Sequence, residues 1–235
     1  MTSGAPYPRW REFKFTIQRI VRNPAAIIGC VLLLSFTVVA VLAPVLAPPK
    51  YAHNPYLMPH KGFSPTPRPP SASHIFGTTS GQYDIFYGVV WGTRTAFKIG
   101  LFVVGFAVLV GVSLGALAGY YGGLVDEILM RVTDVIWAIP TLVLAMAIVV
   151  AFGRGIDKIM LALALVQWRW YVRVLRAEIL TLRDQEYVQA ARLMGVSDLK
   201  IILRHILPNA IYPILIMASM DMGSMVITAS FMSFV

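Results

Sequence analysis

The stretch Phe97-Lys-Ile-Gly-Leu-Phe-Val-Val-Gly-Phe-Ala-Val-Leu-Val-Gly-Val-Ser-Leu-Gly-Ala-Leu-Ala-Gly119 decides the fold. A membrane-crossing helix needs about 20 mostly apolar residues, because each residue rises about 1.5 Å and the hydrocarbon layer is about 30 Å thick. This run meets that length with Lys98 as its one charged side chain. Within it Gly111, Gly115 and Gly119 recur at i, i+4 and i+8, which marks one face for close helix packing. Four further segments come close to the same test, at about 25–47, 132–152, 157–176 and 206–234. Of these, 157–176 is the most polar, since Arg169, Arg173 and Arg176 occupy its second half, and 206–234 is long enough to tilt or bend. The expected fold is therefore all-α and polytopic, with five transmembrane helices visible.

Composition agrees. The 235 residues are 57% hydrophobic and 13% charged, with a mean hydropathy of +0.71, whereas soluble domains carry charge at about a quarter of positions. The formal net charge of +9 gathers at the ends of the apolar runs. Anionic lipid and the positive-inside bias account for it there, and no nucleic-acid-binding motif is present. The single Cys30 lies inside an apolar run, which excludes a disulfide framework and a cysteine-based metal site. The first run is longer than the ~7–15 residues of a signal sequence and follows some two dozen residues, so it is expected to be an uncleaved spanning helix.

Orientation follows from the Lys and Arg beside each span. With the N-terminus inside, the inner segments hold Arg9, Arg11, Lys14, Arg19, Arg22, Arg131, Arg169, Arg173, Arg176, Arg183, Arg192, Lys200 and Arg204, which is 13 of the 20. The outer ones hold Lys50, Lys61, Arg68, Arg94, Lys98, Arg154 and Lys158. The expected organisation is a cytoplasmic N-terminal segment 1–24, a first transmembrane helix 25–47, a Pro-rich extracytoplasmic loop 48–96 and a core transmembrane domain 97–235 that contains a cytoplasmic loop 184–204. The prolines Pro48, Pro49, Pro55, Pro59, Pro65, Pro67, Pro69 and Pro70 cannot sustain a helix, and the loop is expected to be a linker or a docking surface for an external partner.

The most informative segment is Asp184-Gln-Glu-Tyr-Val-Gln-Ala-Ala-Arg-Leu-Met-Gly-Val-Ser-Asp198. Asp184 can cap a helix, Glu186 suits its first turn, and Gly195 can take the left-handed conformation that ends it. A second helix can start at Ser197 and run to Leu207, with Pro208 interrupting the backbone bonding after it. Ala190 and Ala191 place two small side chains on the first helix beside Tyr187, Leu193 and Met194. Such a helix is either a surface for a partner to push on or an amphipathic connector on the lipid headgroups.

These residues resemble a family. Gln189-Ala190-Ala191, then Gly195, then Ile206-Leu207-Pro208-Asn209 resemble the loop of ABC importer permeases that begins Glu-Ala-Ala, continues to a Gly and ends near Leu-Pro, with Gln189 standing where the family has Glu. Arg204-His-Ile-Leu-Pro-Asn209 is similar to the dipeptide/oligopeptide/nickel branch. So are His74-Ile-Phe-Gly-Thr78 with Asp84 and Gly92-Thr-Arg94, and Gly119-Tyr-Tyr-Gly-Gly123 with Asp126, Met130-Arg131, Asp134 and Pro140. Tyr171, Arg173, Arg176 and Glu186-Tyr187-Val188 complete the match.

The resemblance implies a permease subunit of an importer for peptides, nickel or related small solutes. Its partners would be a second homologous permease, two cytoplasmic ATP-binding subunits and an extracytoplasmic solute-binding protein in a bacterial or archaeal cytoplasmic membrane. It implies that Glu186, Tyr187, Gln189, Ala190, Ala191, Arg192, Leu193, Met194 and Gly195 form the coupling helix that meets the ATPase. It also implies a sixth span after Ser233-Phe234, where this sequence stops at Val235, as a truncated chain or gene would. No G-x-x-x-x-G-K-[ST] phosphate loop is present, so ATP hydrolysis is expected in a separate subunit and no cofactor is expected.

Other polar residues raise narrower expectations. Asp221 lies in the middle of the last span among Met220, Met222 and Met225, where a charge is costly unless it meets water or a partner. It is a candidate pathway residue for a cationic part of the substrate, or a hydrogen-bonded packing residue. Arg169, Arg173 and Arg176 share a face and are expected to reach lipid phosphates or Glu178, and Arg131 is expected to pair with Asp134. His53, His60 and His74 lack the spacing of a metal site. An ion-coupled secondary transporter or a membrane scaffold are the alternative functions; an intramembrane enzyme would need a nucleophile and base that the spans do not offer.

Overall fold

The computed structural model describes residues 18, 21–51, 53–60, 62, 64 and 66–234. Most of the expected segment 1–24 lies outside these residues, as do Lys61, Pro65 and Val235. Among the described residues the backbone is helical or looped, with only isolated bridges such as His60 to Tyr83. The chain divides into two compact units, Met1–Thr95 and Ala96–Val235.

In the first unit, α1 spans Pro24–Leu46. Asn23 starts it by accepting the backbone N–H of Ala25 at 3.0 Å, and Pro24 costs nothing in a first turn whose N–H groups have no partner anyway. The helix is apolar all round, and Val31, Leu33, Leu34, Val41 and Val45 are exposed on it as lipid-facing side chains are. The segment after it folds into hydrogen-bonded turns. Gln82, left-handed at φ 59 and 2% exposed, donates its amide to the Thr66 carbonyl at 2.9 Å. Gly77, at φ +75, lies so close to the chain at Arg68 that a Cβ there would sit 2.4 Å from the Arg68 carbonyl oxygen. The Tyr87 hydroxyl donates to the Pro55 carbonyl at 2.6 Å, and the Trp91 indole donates to the Ala47 carbonyl at 3.0 Å over a small core of Ala43, Ala47, Tyr87, Val90 and Trp91.

The second helix, α2, spans Ile85–Tyr121 and so begins well before the expected 97. Asp84 explains the early start: its carboxylate accepts the Tyr87 N–H at 3.0 Å, a capping bond, and the next turns are aromatic and aliphatic. His74 Nδ1 lies 2.9 Å from the other carboxylate oxygen. Burial alone would push the Asp84 carboxyl up, but the Tyr87 N–H and His74 outweigh it and hold the group below the usual carboxylate range.

The second unit contains the rest of α2 with α3 (Gly123–Trp137), α4 (Thr141–Phe152), α5 (Ile156–Leu182), α6 (Glu186–Leu193), α7 (Asp198–Ile201), a π turn (Ile202–Ile206) and α8 (Leu207–Met232). The expected span 132–152 is not one straight helix. It is the pair α3 and α4, bent by 85° at the break. Pro140 stands there without an N–H to continue the ladder, and its carbonyl instead accepts from Leu144 at 3.0 Å as α4 begins.

Among the described residues, three helical stretches are long and apolar enough to cross a membrane, or four if the bent pair is counted as one. The 157–176 segment is not among them on composition, although α5 has 27 residues and is about 40 Å long at the usual rise. Its polarity has a physical reason, since α5 is the centre of the unit. It packs on α3, α4 and α8, with Leu163, Val166, Tyr171, Val172, Leu175 and Ile179 all buried. A helix surrounded by protein need not be apolar towards lipid.

The glycine face of α2 meets α5. A Cβ on Gly111 would lie 2.3 Å from Tyr171 Cβ, one on Gly115 2.8 Å from the Val172 carbonyl oxygen, and one on Gly119 2.9 Å from Ile179 Cβ. The expected interruption at Pro208 does not occur, for Asp198–Met232 forms one continuous helical path. Pro208 sits in the first turn of α8, directly after the π turn, whose wider winding relieves the ring of the carbonyl it would otherwise strike.

Candidate functional site

Helix α6 lies between the ends of α5 and α7. It starts after Gln185, one residue later than the expected cap; Asp184 instead lies 3.8 Å from the Arg183 guanidinium, and no side chain caps α6. Gly195 ends the helix in the left-handed conformation at φ +77, and the Val196 N–H returns to the Ala191 carbonyl at 3.2 Å, the closure such a turn makes. Ser197 takes the position before α7 as expected, without a side-chain capping bond.

The two faces of α6 differ sharply. Val188 and Ala191 are 0% and 2% exposed and belong to the unit's core, while Leu193 is 89% and Met194 76% exposed. Of the two alanines, only Ala190 is presented outward. Ala191 therefore cannot offer a contact to a partner; it fixes the helix to its own chain. Glu186, Tyr187, Gln189 and Arg192 share the exposed side with Ala190, Leu193, Met194 and Gly195.

Neighbouring residues hold this segment in place. The Tyr120 hydroxyl, from the end of α2, donates to Asp198 Oδ1 at 2.6 Å, and the Arg192 guanidinium lies 5.4 Å over the Tyr120 ring. Arg183 donates to the Gly119 carbonyl at 3.0 Å, and Asn209 in α8 donates to the Tyr187 hydroxyl of α6 at 3.5 Å. These contacts tie α6 and its flanking turns to the ends of α2, α5 and α8.

The arginines of α5 do not reach outward as expected. Arg176 makes a two-pronged ion pair with Asp126 of α3, not with Glu178, and Arg173 pairs with Asp134. Arg131 consequently lies near Glu127, at 3.7 Å, instead of Asp134. The side-by-side packing of α3 and α5 brings these carboxylates, and not Glu178 of the same helix, within ion-pair reach of the arginines. Arg169 is 2% exposed and sits across the break between α3 and α4: it donates to the Ile136 carbonyl at 2.7 Å and to the Thr141 hydroxyl. Its guanidinium lies 5.2 Å and that of Arg173 4.7 Å from the centre of the Trp137 ring.

Asp221, on α8, faces α5. Its Oδ2 accepts from the Gln167 amide at 2.9 Å and from the Tyr171 hydroxyl at 2.7 Å. Among the described residues no Lys, Arg or His forms an ion pair with it. The carboxylate borders an open cleft of about 590 Å³ whose lining includes Thr141, Gln167, Trp170, Met217, Thr228 and Phe231. Gln167 was not singled out by sequence reasoning. Its signal was available: Gln167 and Tyr171 stand four apart, two hydrogen-bonding side chains on one face of α5.

Both features fall in a region with known relatives. The family model described as binding-protein-dependent transport system inner membrane component matches residues 111–235, and that of the N-terminal TM domain of oligopeptide transport permease C matches residues 9–64. The dipeptide transport system permease protein of Alkalihalophilus pseudofirmus is 34% identical over 226 residues, 96% of this chain and 71% of that protein. The probable D,D-dipeptide transport system permease protein of Escherichia coli is 41% identical over 167 residues, 71% of this chain and 56% of that one. The glutathione transport system permease protein of Pectobacterium atrosepticum is 35% identical over 225 residues, 96% of this chain and 72% of that protein.

Proposed function

Since the chain belongs to the binding-protein-dependent transport system inner membrane components, the permease subunits of ABC importers, we propose that its cargo is peptides and that α6 is the surface on which a separate ATPase subunit acts. The relatives named for dipeptide, D,D-dipeptide and glutathione transport support the cargo. The observation that carries the coupling role is the division of α6 into a face packed in its own core and a face of Ala190, Leu193 and Met194 turned outward. Covering two side chains of that size would contribute roughly 1.5–3 kcal/mol each, part of what docking a partner on a short helix requires.

In this proposal the assembly also contains a second homologous permease, a second ATPase subunit and an extracytoplasmic solute-binding protein. The N-terminus and α6 are on the cytoplasmic side. ATP chemistry belongs to the partner, because this sequence has no phosphate loop. Closure of the ATPase pair would push α6, and rigid connections would carry the motion inward: Tyr120 into α2, and the unbroken path from Asp198 through the π turn into α8, where Asp221 lies. Alternating access by such rigid elements needs no large change inside any one helix.

The test is Ala190→Asp, which places a charge on the outward face without touching the packed one. Co-purification of the ATPase subunit and peptide uptake should both be lost while the permease remains folded in detergent. Retention of both in this variant would show that α6 is not the docking surface.

A further inference from the structure

A carboxylate inside a membrane protein needs a compensating group, and Asp221 has only half of one. Gln167 and Tyr171 both donate to Oδ2. They are neutral donors, so they orient the carboxylate without cancelling its charge, and no ion-pair partner stands beside it among the described residues. Neither donor bonds Oδ1, and the residue borders the open cleft. Exposure of such a group to hydrocarbon is costly, which argues that the cleft holds water or a cationic guest.

The lining narrows the guest. A metal ion would require several hard or nitrogen ligands, and no group of three His, Cys, Asp or Glu residues is found among the described residues. One carboxylate beside the aromatic rings of Trp170 and Phe231 suits a compact organic cation instead. Thr141, whose oxygen already accepts from Arg169, keeps its proton to donate to a carbonyl. At about 590 Å³ the cleft is within the ~300–1,000 Å³ range of small-ligand sites.

We propose that Asp221, oriented by Gln167 and Tyr171, is a binding site in the translocation path for the α-ammonium group of a peptide in transit. The proposal rests on the peptide reading of the function above. A single ionic contact in an open cleft fits a transit site, which has to release what it binds.

The experiment uses the complete importer in proteoliposomes, with Thr228→Cys as reporter in a Cys30→Ser background. Thr228 lines the same cleft and lies seven residues beyond Asp221, two turns along one helix face. The rates of modification by a cationic and an anionic methanethiosulfonate reagent are measured with and without Asp221→Asn. At a separation of about 10 Å and an intermediate dielectric, loss of the charge should lower the cationic-to-anionic rate ratio by about tenfold, and Asp221→Glu should restore most of it. An unchanged ratio in Asp221→Asn overturns the inference.

In the second arm, dialanine should slow modification of the reporter, whereas acetyl-dialanine and acetyl-alanyl-lysine should not. Equal protection by either acetylated peptide overturns the α-ammonium assignment. Dialanine uptake by the unmodified importer is measured in the same vesicles. Absence of uptake removes the peptide reading itself, while uptake combined with an unchanged rate ratio removes only the role of Asp221.

Discussion

Replacing Gly111 by alanine would insert a methyl group where α2 and α5 are in backbone contact. The new Cβ would lie 2.3 Å from Tyr171 Cβ, 2.9 Å from the Trp168 carbonyl oxygen and 3.2 Å from the Val172 nitrogen. Carbon atoms prefer about 3.5–4.0 Å, so the helices must separate by roughly an ångström. None of the three obstacles is the far end of a flexible side chain. Overpacking of this kind costs about 1–3 kcal/mol, and the upper end applies here. Alanine's better helix propensity offsets about 1 kcal/mol, leaving a net loss of about 2 kcal/mol. For a chain of this size that lowers the melting temperature by about 4–8 °C.

Gly105→Ala is the matched control, because it lies in the same helix with nothing within 4 Å of its Cβ position. It should leave the melting temperature unchanged or raise it slightly. The assay is thermal unfolding of the purified complex in detergent, followed by tryptophan fluorescence. If Gly111→Ala melts with Gly105→Ala and the unsubstituted protein, the glycine face does not set the approach of α2 to α5.

The pair between Arg176 and Asp126 should show a coupling of about 1–3 kcal/mol in a double-mutant cycle of Arg176→Ala and Asp126→Ala, measured by the same unfolding assay; additivity within about 0.3 kcal/mol would show that it contributes nothing. Asp84, held below the usual carboxylate range when folded, stabilises the first unit at pH values above its unfolded value of 3.8, and that contribution is lost as the pH falls through the lower folded value. Acid titration of the fluorescence of nearby Trp91 should therefore show a transition below pH 3.8 that Asp84→Asn abolishes; an identical acid transition in the variant would contradict this.

Much of this architecture could be read from residue spacing. The glycine repeat on α2 announced a packing face, and Gly195 announced the left-handed turn after α6, because both depend on a missing Cβ. The side of α6 that faces inward was harder to read. Eight residues make barely two turns, and Val188 with Ala191 is no more apolar than Leu193 with Met194. Only the surrounding core decides which pair is buried. The arginine partners were also hidden, since Arg173 and Arg176 lie 39 and 50 residues from Asp134 and Asp126, and their pairing depends on how α3 packs beside α5. Pro140 marked a weak point in the 132–152 run, but no local pattern revealed that Arg169 would bridge the break. Asp221 stood out as a charge in an apolar helix, whereas its donors lay on a different helix.

The central claim is that this permease moves peptides by mechanical work from a partner's ATP hydrolysis, delivered through α6. It is tested most directly by dialanine uptake into proteoliposomes holding the whole importer. Uptake should stop when ATP hydrolysis is blocked and should continue when ionophores collapse the ion gradients. Uptake that persists without ATP hydrolysis and disappears with the gradients would contradict it.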